Sequence, residues 1–165
     1  NTIVGACAMN MTVSYSGMLA KPVDMRGRVE ALEAAIEYEP QVECLVRHHF
    51  APGVYAREMT VPTGVVITGA VHKTCHLSIL SKGKIKLVSG EEVVELSAPA
   101  TILANAGTKR AIYAVEEAVW TNIHATNETD LDKLVEELTE STADELMGGK
   151  NNRQFLLSGA LEFKG

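Results

Sequence analysis

The stretch VPTGVVITGAVHKTCHLSILSKGKIKLVS, residues 61–89, sets the character of the chain. A Pro-x-Gly turn at Pro62-Thr63-Gly64 feeds a β-branched run, Val65–Val71. A polar turn follows, and His76–Ser81 reads as a second run, closed by Lys82-Gly83. In Lys84–Val88 the apolar Ile85 and Leu87 alternate with Lys84 and Lys86, the period-two pattern of a half-buried strand. Working outward, the same grammar extends over residues 42–124. Val42–Phe50, Val54–Val61, Val93–Leu96, Thr101–Ala104, Ala111–Val115 and Val119–His124 are further strand candidates. Gly, Pro, Asn and charged residues separate them, as at Ala51-Pro52-Gly53, Ser89-Gly90-Glu91 and Asn105-Ala106-Gly107. Many short strands at close spacing predict a mainly β sandwich or barrel, not alternating strand–helix units.

Helical periodicity is confined to the flanks. Val29, Leu32, Ala35 and Ile36 form one apolar stripe over Met25–Tyr38, with Asp24 as expected N-cap and Pro40 as stop. Leu131, Leu134, Val135 and Leu138 do the same over residues 130–141, after a capping stretch ending in Asp130. The sequence thus divides into an N-terminal arm and helix (1–41), a β-barrel (42–124) and an acidic helix and tail (125–165), all in one structural domain. A short helical turn is expected at Ala143–Met147, and Gln154–Phe163 is apolar enough to pack on something.

Composition limits the function. The chain has 165 residues and a formal net charge of −6. Residues 128–145 hold eight acids and one lysine, so the body is close to neutral. Without a basic face, nucleic acid is not an expected partner. No apolar run approaches the ~20 residues of a membrane span, so no membrane partner is expected either. Three cysteines, Cys7, Cys44 and Cys75, have no metal-ligand spacing and suggest a reduced interior. The opening NTIVGACAMNM lacks a basic leader, so no secretory signal is expected. An Asn at position 1 is expected to reflect a processed or incomplete terminus.

His72 and His76 flank a short turn before Gly83, and Asn105-Ala106-Gly107-Thr108-Lys109-Arg110 forms a second glycine turn ending in a basic residue. In this arrangement the chain resembles the cupin superfamily, RmlC-like jelly rolls whose first motif carries two His, a Glu and, after six residues, a Gly. Counting back from Gly83, His76 falls on the Glu position, His72 on the second His and Ala70 on the first. In the second motif Asn105 replaces Pro, Gly107 matches Gly, and Arg110 stands where the family has its metal-binding His. The resemblance covers roughly residues 42–124 and implies a double-stranded β-helix, often a homo-oligomer (dimer or higher). Val54–Glu58, His72–Leu77, Gly107–Arg110 and Val119–His124 further resemble cupin-like proteins of tailed bacteriophages. That likeness implies a place in the host cytoplasm or the virion.

These residues point to three kinds of function. The reading ranked first is a small-molecule binding module. Arg110, with Arg57 and Lys73, grips a carboxylate or phosphate; His72 and His76 donate hydrogen bonds or act as an acid/base pair; Tyr55 and Trp120 stack on the ligand. Lys109 and Tyr113 are further candidates. The second is a structural, virion-associated jelly roll. The third is a metal-dependent oxygenase or isomerase. Trp120, Asn122 and His124 share a strand face, so His124 offers a third nitrogen beside His72 and His76 for a divalent transition metal. Arg110 in a ligand position speaks against that metal, and no cofactor is certain. Each residue also has a structural reading: Trp120 as core or interface, Arg110 as an ion-pair partner of Glu116 or Glu117, His48 and His49 on opposite faces of one strand.

Overall fold

The computed structural model describes residues 25–89 and 92–143, which form nine strands and two helices. Helix α1 spans Met25–Ile36. The strands are β1 (Leu45–Ala51), β2 (Val54–Val61), β3 (Val66–Thr68), β4 (His76–Lys82), β5 (Lys84–Ser89), β6 (Glu92–Ser97), β7 (Ala100–Ala104), β8 (Ala111–Ala114) and β9 (Ala118–Ala125). Helix α2 spans Leu131–Leu138. The larger sheet has the order β1-β2-β9-β4-β7 and the smaller β3-β8-β5-β6. Every pairing is antiparallel. The chain crosses repeatedly from one sheet to the other, which rolls it into a jelly roll of two facing sheets.

Alternation decides which side chains enter. From β5, Ile85 and Leu87 are buried while Lys84 is held at the surface by Glu95, 2.5 Å away. Ile85 and Leu87 join Val61, Leu80, Ile112, Ala114, Ala118 and Trp120 in one core cluster between the sheets. The acidic residues of α2 face outward while Leu134 and Leu138 are buried against Tyr55. Asp130 caps this helix by accepting from the Asp132 and Lys133 amides at 3.0 and 3.2 Å, the role its sequence position predicts. Helix α1 docks through Val29, which is buried, and Glu33, which accepts from Lys109 Nζ at 2.8 Å and Thr68 Oγ1 at 2.8 Å.

Three boundaries differ from expectation by three residues, the others by two at most. Strand β1 begins at Leu45, not Val42; Val42 is 54% exposed and has no strand to pair with. Strand β3 stops at Thr68: one more bond continues its register with the residue before β8, and residues 71–73 then pair with the segment at the end of α2 instead. The Gly69 amide donates to Arg110 O, the Glu140 amide donates to Val71 O, and His72 bridges Thr139. For the same reason α2 ends at Leu138: Thr139 is extended (φ −128°, ψ 167°) and already belongs to that bridge. The Asp24 cap, residues 144–147 and Gln154–Phe163 lie outside the described residues.

Candidate functional site: three histidines and two arginines at the polar end of the barrel

The inner face of the large sheet changes chemistry along its length. Strand register places Val61 opposite Ala118, Met59 opposite Trp120, Arg57 opposite Asn122 and Tyr55 opposite His124. On the other side of β9, Leu80 faces Trp120 and Ser78 faces Asn122. The period of two then puts His76 beside His124. One end of the barrel is therefore apolar, with Val61, Ala118, Leu80 and Trp120. A middle row is polar, with Ser78 Oγ donating to Asn122 Oδ1 at 2.8 Å beside Arg57. The far end carries Tyr55, His124 and His76. Across the gap, Arg110 stands two residues before Ile112 and four before Ala114, so it extends the inward-facing row of β8 toward the same end.

His72 arrives from the loop after β3, pinned by its bridge to Thr139. The ring centroids of His72 and His76 are 4.1 Å apart, those of His76 and His124 4.5 Å, and those of His72 and His124 4.8 Å. One nitrogen from each ring lies within 4.8 Å of the other two. Burial holds all three imidazoles neutral. His72 is pushed down to about 3 by burial first, then by its histidine neighbours and the charges of Arg110 and Arg57. His124 is pushed down to about 4 by burial and by His76. His76 is also lowered, by burial and Arg110, against the opposing pull of the Thr74 carbonyl.

Two guanidinium groups reach this chamber. Arg57 is partly buried on the inner face of β2; burial disfavours its charge, and Tyr55 and Cys44 offset that only in part. Its hydrogen bond is a long one to Met59 Sδ, 4.0 Å. Arg110 donates from Nη2 to Leu103 O at 3.5 Å, and its buried Nε has no partner. Among the described residues neither arginine has a carboxylate partner. Arg110 does not pair with Glu116 or Glu117; Glu117 takes Lys82 instead, at 2.6 Å.

The donor set fits a divalent transition metal. Neutral imidazole is a ligand for zinc, iron, nickel and copper. The buried Nδ1 atoms of His72 and His124 have no hydrogen-bond partner, a cost that a bound ion or ligand would remove. His72, His76 and His124 would hold the ion.

Other sequence candidates fall elsewhere. Tyr55 forms part of the wall: its ring lies 6.2 Å from that of His124, and its Oη is 2.7 Å from His48 Nδ1. Burial raises this phenol to about 12. Trp120 does not reach the ligand space; it is packed in the apolar core two residues deeper than Asn122. Lys73 points away, its Nζ donating to Glu136 O and its amide to Leu138 O, so it fastens α2. Lys109 is taken by Glu33, and Tyr113 lies on the outside. His48, read from sequence as structural, faces inward opposite Arg57, and its Nε2 is buried without a partner. His49 faces outward, 3.6 Å from Glu58. The parity of β1 against Arg57 is the signal that separates the two.

No family model matches the chain, and no curated protein matches its sequence. Solved structures do resemble it. A cupin 2 domain-containing protein from Halorhodospira halophila is 15% identical over 72% of this chain and 83% of that one, with a TM-score of 0.47. KdgF from Halomonas sp. is 15% identical over 56% and 90%, TM-score 0.46. An RmlC-like cupin family protein with a double-stranded β-helix fold, from Methanocaldococcus jannaschii, is 12% identical over 53% and 84%, TM-score 0.44. The likeness is one of fold; what the chamber does depends on this chain's own side chains.

Proposed function

We propose that this protein binds a small organic anion at the polar end of its barrel, between Arg57 and Arg110 and against His72, His76 and His124. The observation that carries this reading is the unbalanced charge: two guanidinium groups enter one chamber of neutral imidazoles, with no carboxylate partner among the described residues. Charge buried without a partner is costly, and an incoming carboxylate or phosphate supplies the missing acceptors. Titration calorimetry with acetate, phosphate and short organic acids tests it. Arg57→Met keeps the volume but removes the charge. Loss of a charged hydrogen bond weakens binding by about ten- to a hundredfold. Because Arg57 is partly buried without an acid, the same variant is expected to unfold at no lower urea concentration than the wild type. Flat isotherms for the wild-type protein overturn the reading.

A second reading is supported by the three convergent imidazoles: they hold a divalent transition metal, and the arginines grip an anion beside it. A bound ion supplies Lewis-acid polarisation of a ligand oxygen. Metal analysis of protein purified without chelator, and cobalt absorption spectra after loading, check this. Wild-type protein is expected to take up about one ion, while His76→Ala and His124→Ala take up far less. Equal uptake by the variants removes this reading and leaves the anion site standing.

A further inference from the structure

Arg110 belongs to two spaces. Its charge acts on His72 and His76. It also lines a cavity of about 480 Å³, to which the strands contribute Leu87, Val94, Leu96, Ile102 and Leu103, and the loop between β7 and β8 contributes Asn105 and Thr108 beside the arginine. This slot lies where the two sheets fail to meet: β7 is the last strand of the large sheet and β6 the last of the small one. Leu87 comes from the buried core, whereas Val94 is 39% and Leu103 56% exposed, so the slot opens to the side. Its volume is in the range of small-molecule pockets. The long side is aliphatic, and the arginine is the charged group at its wall.

We infer that the anion is amphipathic, a monocarboxylate whose head meets Arg110 and whose apolar chain of several carbons lies in the slot between β6 and β7. This rests on the anion-binding reading above and adds the class of ligand. Two features decide the class. The buried Nε of Arg110 lacks an acceptor, and a carboxylate satisfies Nε and an Nη together. The polar lining residues, Asn105 and Thr108, come from the same loop as Arg110, so the aliphatic side formed by the strands offers no side-chain hydrogen-bond partner for hydroxyls along the rest of a sugar acid, and burying those without partners is unfavourable. A hydrocarbon chain instead removes apolar surface from water on both sides.

Calorimetric titration of the whole chain with acetate, butyrate, hexanoate and octanoate tests the inference. Each added methylene is expected to lower Kd about fourfold until the slot is filled. Arg110→Gln is expected to abolish the preference for hexanoate over hexanol. Val94→Glu, at an exposed edge position, places a charge in the slot and flattens the series; a wild-type circular dichroism spectrum shows that it folds. If acetate binds and Kd stays constant out to octanoate, this inference falls and the anion site stands. If none of the acids binds, the anion site falls and takes the inference with it. If hexanol binds the wild-type protein as tightly as hexanoate does, Arg110 is not the head-group site and the inference is likewise overturned.

Discussion

Between β4 and β5 the chain turns through Gly83 at φ +81°, and a Cβ at this position would lie 2.1 Å from the Glu117 carbonyl oxygen. The obstacle is backbone, so no side-chain rotation relieves it. Gly53 has a similar φ, +76°, but nothing lies within 4 Å of its Cβ position. Gly83→Ala is therefore expected to cost about 3 kcal/mol or more, adding a clash to the left-handed penalty, and Gly53→Ala about 1–2 kcal/mol. Urea denaturation of the two variants measures the difference; equal losses would show that the Glu117 contact is unimportant. Single residues also mark what a sequence can disclose. His72 and His76 are legible because spacing to a glycine turn is local information. Arg57 and His48 become legible once parity within a strand is known. Lys73 was not, because the carbonyl that holds it belongs to Glu136, 63 residues away. Trp120 satisfies the same face rule as His124, yet depth along the strand separates core from chamber, and depth is set by neighbouring strands.

Helix α2 closes the polar end. Leu134 and Leu138 pack on Tyr55, and Thr126 Oγ1 donates to Glu137 Oε1 at 2.7 Å. The segment after the helix continues the closure by pairing with residues 71–73. Leu134→Ala removes a buried side chain from this seam and is expected to destabilise the protein by about 2–5 kcal/mol. Equilibrium unfolding checks the value; a loss under about 0.5 kcal/mol, usual for a surface site, would mean that α2 is not docked. At this scale the sequence was informative. All nine strands were legible, because turn residues with definite backbone preferences punctuate short β-branched runs. The amphipathic spacing of α2 and its Asp130 cap were equally plain. Sheet order was not, since nothing local states that β9 lies between β2 and β4.

Taken over the whole molecule, four inward imidazoles give a pH response with a definite sign. His48 and His124 are lowered to about 4, His72 to about 3, and His76 is also lowered. Each folded-state value lies below the ordinary histidine value near 6.5. The unfolded chain therefore binds more protons than the native one between roughly pH 6.5 and pH 3–4, and native stability falls as pH falls through that window. The slope is at most about 1.4 kcal/mol per pH unit for each histidine. Urea midpoints at pH 7.5, 6 and 5 should decline in that order. A His72→Gln/His124→Gln double variant should show a shallower decline, and an unchanged wild-type midpoint between pH 7.5 and pH 5 would show that these rings are not buried neutral. The placement of β9 has one more consequence. It enters between β2 and β4, neither of which precedes it by fewer than thirty residues, and it delivers His124 as it does so. During synthesis the earlier strands emerge with a vacant slot at the middle of their sheet, and the trio of rings stays incomplete until that slot is filled. Ligand competence and completion of the sheet are thus a single late event, so a nascent chain ending short of the ninth strand carries two of the three rings and no assembled pocket.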